Sequence, residues 1–164
     1  MEKEFVSFMI ASRCTGCQAE KKKIIGTPFW VIDTNVFVSA AITPGGICDQ
    51  VLQCAVAGLF VPAWDNQILS EYREVLGRPK FKLSKTAVRA LLDALPASGF
   101  RRGMSLQEIC LPDPDDLPFV AVALATPDKT IITGNASHYP ASQMLTLGIK
   151  IISPRQALDC FQSR

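Results

Sequence analysis

Carboxylates at the ends of apolar segments are the residues of this chain best placed for chemistry, and cation binding is the chemistry they suit. Phe29-Trp30-Val31-Ile32 reads as a short buried strand that ends directly on Asp33-Thr34-Asn35. In open α/β proteins the carboxyl ends of the strands line the ligand crevice, so Asp33 stands where a ligand would sit. The competing reading is a helix cap, since Asp, Thr and Asn all satisfy free N–H groups at a helix start. Glu71 falls on the inward stripe Ile68, Tyr72, Val75 and Leu76 of a helix expected between Asp65 or Asn66 and Gly77. An acid on that face is costly unless it is paired or bound to a metal. The plainer alternative is a stripe-edge glutamate that reaches water or an arginine.

Asp113, Asp115 and Asp116 crowd the start of the apolar run Leu117 to Ala125. Pro118 is tolerable only in a first helical turn, so the helix is expected to begin near Asp115 or Asp116. Asp116 then lies one turn before Val120 and two before Ala123, over the buried stripe, and reads as a ligand. Asp113 and Asp115 read first as N-cap acids and only second as ligands. Three such carboxylates repel one another unless a cation neutralises them, because a helix N-terminus offsets only about 0.3–1 kcal/mol each. Thr130 to Thr133 reads as a further strand, stopping at a glycine turn that presents Asn135, Ser137 and His138. His138 is the only histidine, which excludes a multi-histidine metal site. A lone histidine is more often structural than catalytic.

These motifs occur in the order Asp-Thr-Asn, Leu-Ser-Glu-Tyr-Arg-Glu-Val-Leu, Asp-Pro-Asp-Asp before an alanine-rich helix, and Thr-Gly-Asn-x-x-His. The pattern resembles a PIN domain of the VapC-type toxin group, over roughly residues 29 to 160. The resemblance implies an α/β fold of three layers, α/β/α, around a mainly parallel sheet with acids along its carboxyl edge. It implies Asp33, Glu71 and Asp116 as the core acids, with Asn135 beside them, and Thr34 and Thr133 as the hydroxyl positions next to a metal. Asn35, Ser137 and His138 would support the site or touch substrate. Many family members carry aspartate where this chain has Asn135. Asparagine keeps the oxygen but loses the charge, so a second ion would be held less tightly unless Asp113 or Asp115 replaces it.

Such hard oxygen ligands suit Mg²⁺ or Mn²⁺ rather than Zn²⁺. A pair of these ions about 3.5–4 Å apart can activate water and stabilise the leaving oxygen of a phosphodiester. The implied activity is metal-dependent endoribonuclease action by the toxin of a toxin–antitoxin pair. An RNA substrate, a cognate antitoxin protein and a second copy in a homodimer would be its partners. A PIN domain that binds RNA or a protein without cutting is the alternative, kept open by Asn135. A haloacid-dehalogenase-like phosphatase also starts from an Asp at the first strand end, but it needs an acid two residues on, where this chain has Asn35.

The elements that must position these residues alternate between strand and helix, which argues for a parallel sheet covered on both faces. Ile47 to Ala57 reads as a helix, Leu59 to Ala63 as a strand, and Ser84 as the cap of a helix reaching Leu95. Phe100 to Met104 reads as an edge strand and Ile149 to Ile152 as another strand. Ser153 with Pro154 marks the start of a last helix. The chain of 164 residues is 48% hydrophobic, enough for one sizeable core, and no apolar run approaches the roughly 20 residues of a membrane span. Its net charge is only +2. Arg78, Lys80, Lys82, Lys85 and Arg89 nevertheless gather in one stretch and Arg101 and Arg102 in another, a distribution that suits either a polyanion or a solvated helix face. Residues 1 to 28 read as a poorly ordered extension, with residues 29 to 164 as the nuclease-like domain. Cys14 and Cys17 lack the second pair a zinc site needs. Cys48, Cys54, Cys110 and Cys160 read as small buried hydrophobes of a reducing cytoplasm.

Overall fold

The computed structural model describes residues 26–106 and 109–162. Most of the N-terminal extension, with Cys14 and Cys17, lies outside the described residues. Four strands, β1 (Phe29–Ile32), β2 (Val61–Ala63), β3 (Thr130–Ile132) and β4 (Lys150–Ile152), form one sheet in the order β2-β1-β3-β4. Every pairing is parallel. A parallel sheet needs cover on both faces, which is why its inner strands are apolar at successive positions rather than at alternate ones. Val31, Ile32, Ile131 and Ile132 expose no surface at all. The expected α/β architecture is therefore the one observed, a parallel central sheet flanked by helices.

The described helices are α1 (Thr34–Ile42), α2 (Ile47–Val56), α3 (Asn66–Leu76), α4 (Lys85–Asp93), α5 (Leu117–Leu124), α6 (Ala141–Leu147) and α7 (Pro154–Gln162). The N-cap residues read from sequence for three of these helices do their work. Asp65 accepts from the N–H groups of Gln67 and Ile68 at the start of α3, and Ser84 from that of Ala87 at the start of α4. Ser153 and Gln156 exchange bonds, the Ser153 hydroxyl accepting from Gln156 N and the Gln156 amide from Ser153 N, a reciprocal capping box at α7. α5 is buried nearly all round, with Phe119 to Ala123 all inside, and packs on β1 and β3. Tyr72 of α3 is 1% exposed, packs at a tilt against the Phe37 ring and donates its hydroxyl to the carbonyl of Ile32, tying α3 to the end of β1.

Several expectations need correction. The proposed edge strand from Phe100 to Met104 is only one parallel bridge, Trp64 to Phe100. Trp64 N donates to Gly99 O and Arg101 N donates to Trp64 O, but the ladder cannot grow. On the near side Pro62 has no N–H to offer, and on the far side Asp65 already caps α3. The chain instead turns away, and Met104 N donates to Ala121 O of α5. Gly77 does not adopt the left-handed cap expected of it (φ −75°); Lys82, closing the 3-10 turn Pro79–Phe81, takes that conformation instead (φ 54°). α4 stops at Asp93, short of Leu95. α6 was not read from the sequence. Cys110 and Cys160 are exposed, whereas Cys48 and Cys54 pack partly buried against the core.

The approach of Gly99 to β2 is tight enough to test. A Cβ at this position would lie 1.9 Å from the carbonyl oxygen of Pro62. Gly99→Ala should therefore destabilise the protein by about 1–3 kcal/mol through overpacking against backbone. Urea unfolding monitored by tryptophan fluorescence would read this, and an unchanged midpoint would refute the close packing of this turn.

Candidate metal centre

The carboxyl edge of the sheet brings three of the expected acids together. Asp33 follows the last residue of β1, only 4% exposed, and serves as both cap and site residue. Its Oδ1 accepts from Asn35 N at 3.1 Å, while its Oδ2 accepts from the hydroxyls of Thr133 (2.7 Å) and Tyr139 (3.2 Å). The two readings of Asp33 as cap and as site residue are thus not rivals, since the two oxygens divide the work. Glu71 enters from the second turn of α3, where Thr34 Oγ1 donates to its Oε1 at 2.5 Å. Asp116 ends the 3-10 turn Pro114–Asp116 that leads into α5, and is 8% exposed. Its Oδ2 accepts from His138 Nδ1 at 2.8 Å.

Burial pushes the Glu71 carboxyl up to about 7, and the negative charges of Asp33, Asp116 and Asp115 push the same way, against the opposing hydrogen bond from Thr34. Burial likewise raises Asp116 to about 6, opposed by the bond from His138, with the charges of Asp33 and Asp113 adding to the rise. Burial and the same acids also drive the Tyr139 hydroxyl well above its ordinary range, so it remains a donor to Asp33. Among the described residues no lysine or arginine lies within ion-pair distance of Asp33, Glu71 or Asp116.

The polar residues around β3 form a closed lattice. Thr133 Oγ1 donates to Asp33 and accepts from Asn35 Nδ2 and from Asn135 N, both at 2.9 Å, which uses its one hydrogen and both lone pairs. Asn35 Oδ1 accepts from Gly134 N at 2.9 Å. This bond ties the turn after β3 to the start of α1. The amide oxygen of Asn135 accepts from Ser137 Oγ at 2.6 Å, so that atom is engaged within its own loop. Asp113 caps its turn by accepting from Asp115 N at 3.0 Å, as a cap acid should, whereas Asp115 is exposed.

One grouping departs from the expected trio. Ligand atoms of Asp113, Asp116 and His138 all lie within 4.8 Å of one another, close enough to share a cation. The resemblance gave His138 a supporting place and Asp113 a secondary one, and the geometry moves both next to Asp116. Tyr139 was missed. The only sequence signal for it is its position directly after the Thr-Gly-Asn-x-x-His motif, since an aromatic residue in a loop reads as core. The donor set fits a hard divalent cation. It is rich in carboxylate oxygen, partly buried, short of its own positive charge, and carries carboxyls that a cation would return to the ionised form.

A family model described as PIN domain matches residues 30–137, from β1 through the turn after β3. Neither the curated proteins nor the solved structures compared with the chain hold a significant match.

The raised carboxyls have a signed consequence. In the folded protein Glu71 and Asp116 bind protons more tightly than at their ordinary values of 4.5 and 3.8. Their contribution to stability is therefore complete below about pH 4 and is lost as pH rises through about 6 to 7. Urea midpoints in EDTA should fall between pH 5 and pH 8. Glu71→Gln, which keeps an acceptor for Thr34, should flatten that fall and be more stable than wild type at pH 8. Mg²⁺ or Mn²⁺ should restore wild type at pH 8 and act much less on the variant. A pH-independent midpoint in EDTA would contradict the burial and mutual repulsion of these acids.

Proposed function

Because the chain belongs to the PIN domain family, we propose that it is a metal-dependent endoribonuclease that hydrolyses RNA phosphodiester bonds. Members of this family are generally metal-dependent nucleases. The single observation that carries the proposal is the convergence of Asp33, Glu71 and Asp116 at one sheet edge, with burial and mutual charge raising Glu71 to about 7. Two buried acids and a half-buried one, with no lysine or arginine and only the His138 imidazole beside them, have no structural use that outweighs their burial and repulsion, and a cation gives them one. Asp33, Glu71 and Asp116 would hold Mg²⁺ or Mn²⁺, with Asp113 and His138 at the Asp116 end.

A bound divalent ion would lower the pKa of a water and supply positive charge to the phosphate. The chain's own residues prepare the site. Thr133 and Tyr139 hold one oxygen of Asp33, leaving the carboxylate a fixed direction. Thr34 holds Glu71 and His138 holds Asp116, and each bond favours the ionised carboxylate. His138 is a positioning residue here, its Nδ1 bonded to Asp116. In the hydrolysis a water oxygen forms the new bond to phosphorus, the bond to the leaving oxygen breaks, and that oxygen takes up a proton.

The biological role proposed is that of the toxin of a toxin–antitoxin pair acting in the cytoplasm, with a cognate antitoxin protein and a homodimer as its assemblies. This part rests on the resemblance to the VapC-type group in the order and spacing of the four motifs. No described helix is long and apolar enough to cross a membrane. The alternative of a binding domain that does not cut draws its support from Asn135, whose oxygen is occupied by Ser137 and which brings no charge.

Purified chain free of any partner should cut single-stranded RNA in Mn²⁺ or Mg²⁺ and not in EDTA. Asp33→Asn and Glu71→Gln should each lower the rate by at least about 100-fold, a loss of some 2.7 kcal/mol of transition-state stabilisation. Equal cutting by wild type and both variants would assign the activity to a contaminant. Asn135→Asp separates the two readings. If a missing charge limits the site, this change should lower the Mn²⁺ concentration needed for cleavage and raise the rate. No gain at saturating metal would remove Asn135 as the limitation.

A further inference from the structure

From Arg73 to Arg89 the chain carries six basic residues and one acid, Glu74, for a net charge of +5. The whole chain is only +2, so everything outside this segment sums to −3. The segment covers the end of α3, the 3-10 turn Pro79–Phe81 and the start of α4, and all six basic side chains are exposed. Arg78 is tied to Glu74 at 3.1 Å and Arg89 lies 3.6 Å from Asp93. Lys80, Lys82 and Lys85 have no carboxylate within ion-pair distance among the described residues. Lys82 also holds a left-handed conformation (φ 54°), which costs energy for a residue other than glycine.

This basic segment adjoins the acids directly. Gln67, Ser70, Glu71, Glu74 and Arg78 run along one exposed face of α3 and its end, and they wall a groove whose opposite side is Asp115 and Asp116. We propose that Arg78, Lys80, Lys82 and Lys85 form a track for the phosphodiester backbone of an RNA strand that lies with its scissile phosphate at the carboxylates. This inference rests on the nuclease reading for the identity of the central phosphate, but not for the binding itself. An acidic protein segment is the other conceivable occupant of a basic surface. The spread of the positive charge argues for the nucleic acid: Arg73, Lys85 and Arg89 wall the adjoining cleft between α3 and α4, so the basic surface continues past Arg78 as an extended backbone of evenly spaced phosphates requires.

The test measures binding without cleavage. A fluorescein-labelled single-stranded RNA of about 20 nucleotides and mixed sequence is titrated with the full chain in EDTA, and anisotropy is read from 50 to 500 mM salt. The variant is Lys80→Ala with Lys82→Asn and Lys85→Ala, asparagine being chosen because it tolerates the left-handed conformation. Each phosphate contact on a single strand contributes about 0.7 to the slope of log affinity against log salt. Loss of three should lower the slope by about 2 and weaken binding at 0.1 M salt by about 100-fold. Should the triple variant unfold, as read by its thermal midpoint, Lys80→Ala with Lys85→Ala should lower the slope by about 1.4. Lys150→Ala, at the opposite edge of the sheet, should leave it unchanged. Equal affinity and slope in wild type and variant would overturn the track, and so would the absence of RNA binding by wild type. A variant that loses poly-glutamate binding but keeps RNA binding would overturn it too, assigning the surface to a protein. Cleavage by wild type in Mn²⁺ is read separately: binding without cutting retains the track and rejects the nuclease, while cutting with unchanged variant binding does the reverse.

Discussion

Repulsion among the buried acids at the carboxyl edge of the sheet is the constraint around which the rest of the site is organised. Burial raises the proton affinity of Glu71 and Asp116 most, and charge adds to it, Asp33 acting on both and Asp116 on Glu71. A fold tolerates this only if each carboxylate is held by donors that do not neutralise it. Those donors are neutral hydroxyls for Asp33 and Glu71, and a single imidazole for Asp116. A hydroxyl fixes direction and favours the ionised form without cancelling its charge. Arginine at Thr34 or Thr133 would relieve the repulsion, and with it the need for a cation.

The sheet order explains how residues so distant in sequence meet. β1 lies between β2 and β3, so the segments leaving the ends of all three converge. Asp33 leaves β1, and its main-chain N–H is held by Ile132 O of β3. α3, carrying Glu71, leaves β2, and Tyr72 fixes its rotation by reaching the carbonyl of Ile32. Because Tyr72 and Glu71 are adjacent on α3, anchoring the tyrosine in the core aims the glutamate along the stripe edge toward Thr34. The position of the acid therefore depends on a buried hydrogen bond one residue away, on the other side of the helix stripe.

Much of this arrangement is legible in the sequence because its causes are local. The strand Phe29–Ile32 ends on an acid, the stripe through Ile68 and Tyr72 places Glu71, and Pro118 fixes where α5 can start. Caps at Asp65, Ser84 and Ser153 are equally local, since each needs only an N–H two or three residues on. What was misread depends on contacts between segments. The Phe100 to Met104 strand fails because Pro62, on the partner strand, lacks a donor. The left-handed residue after α3 is Lys82 and not Gly77 because the chain takes a further 3-10 turn before it reverses. Tyr139 reaches Asp33 across the sheet edge, and no spacing in its own segment reveals that. His138 meets Asp116 in the same non-local way.

A basic segment beside a cluster of acids raises the question of why the two do not simply pair. Glu71 and Glu74 lie one turn apart on α3, and Arg78 follows two residues beyond its end in extended conformation. Arg78 could lean along the helix toward Glu71, and a pair there would satisfy the acid and remove its demand for a cation. Glu74 lies between them and takes the guanidinium at 3.1 Å instead. An exposed i, i+4 pair of this kind adds little stability, about 0.3–0.5 kcal/mol, so its value is better sought in what it prevents. By holding Arg78 one turn short of Glu71, Glu74 keeps positive charge at the mouth of the groove and leaves the acids unpaired within it. The Debye length in physiological salt is about 8 Å, so charges separated by a single helical turn still influence a phosphate that lies between them. The end of α3 and the turn that follows it can therefore present a cation-seeking centre and an anion-seeking flank without either cancelling the other.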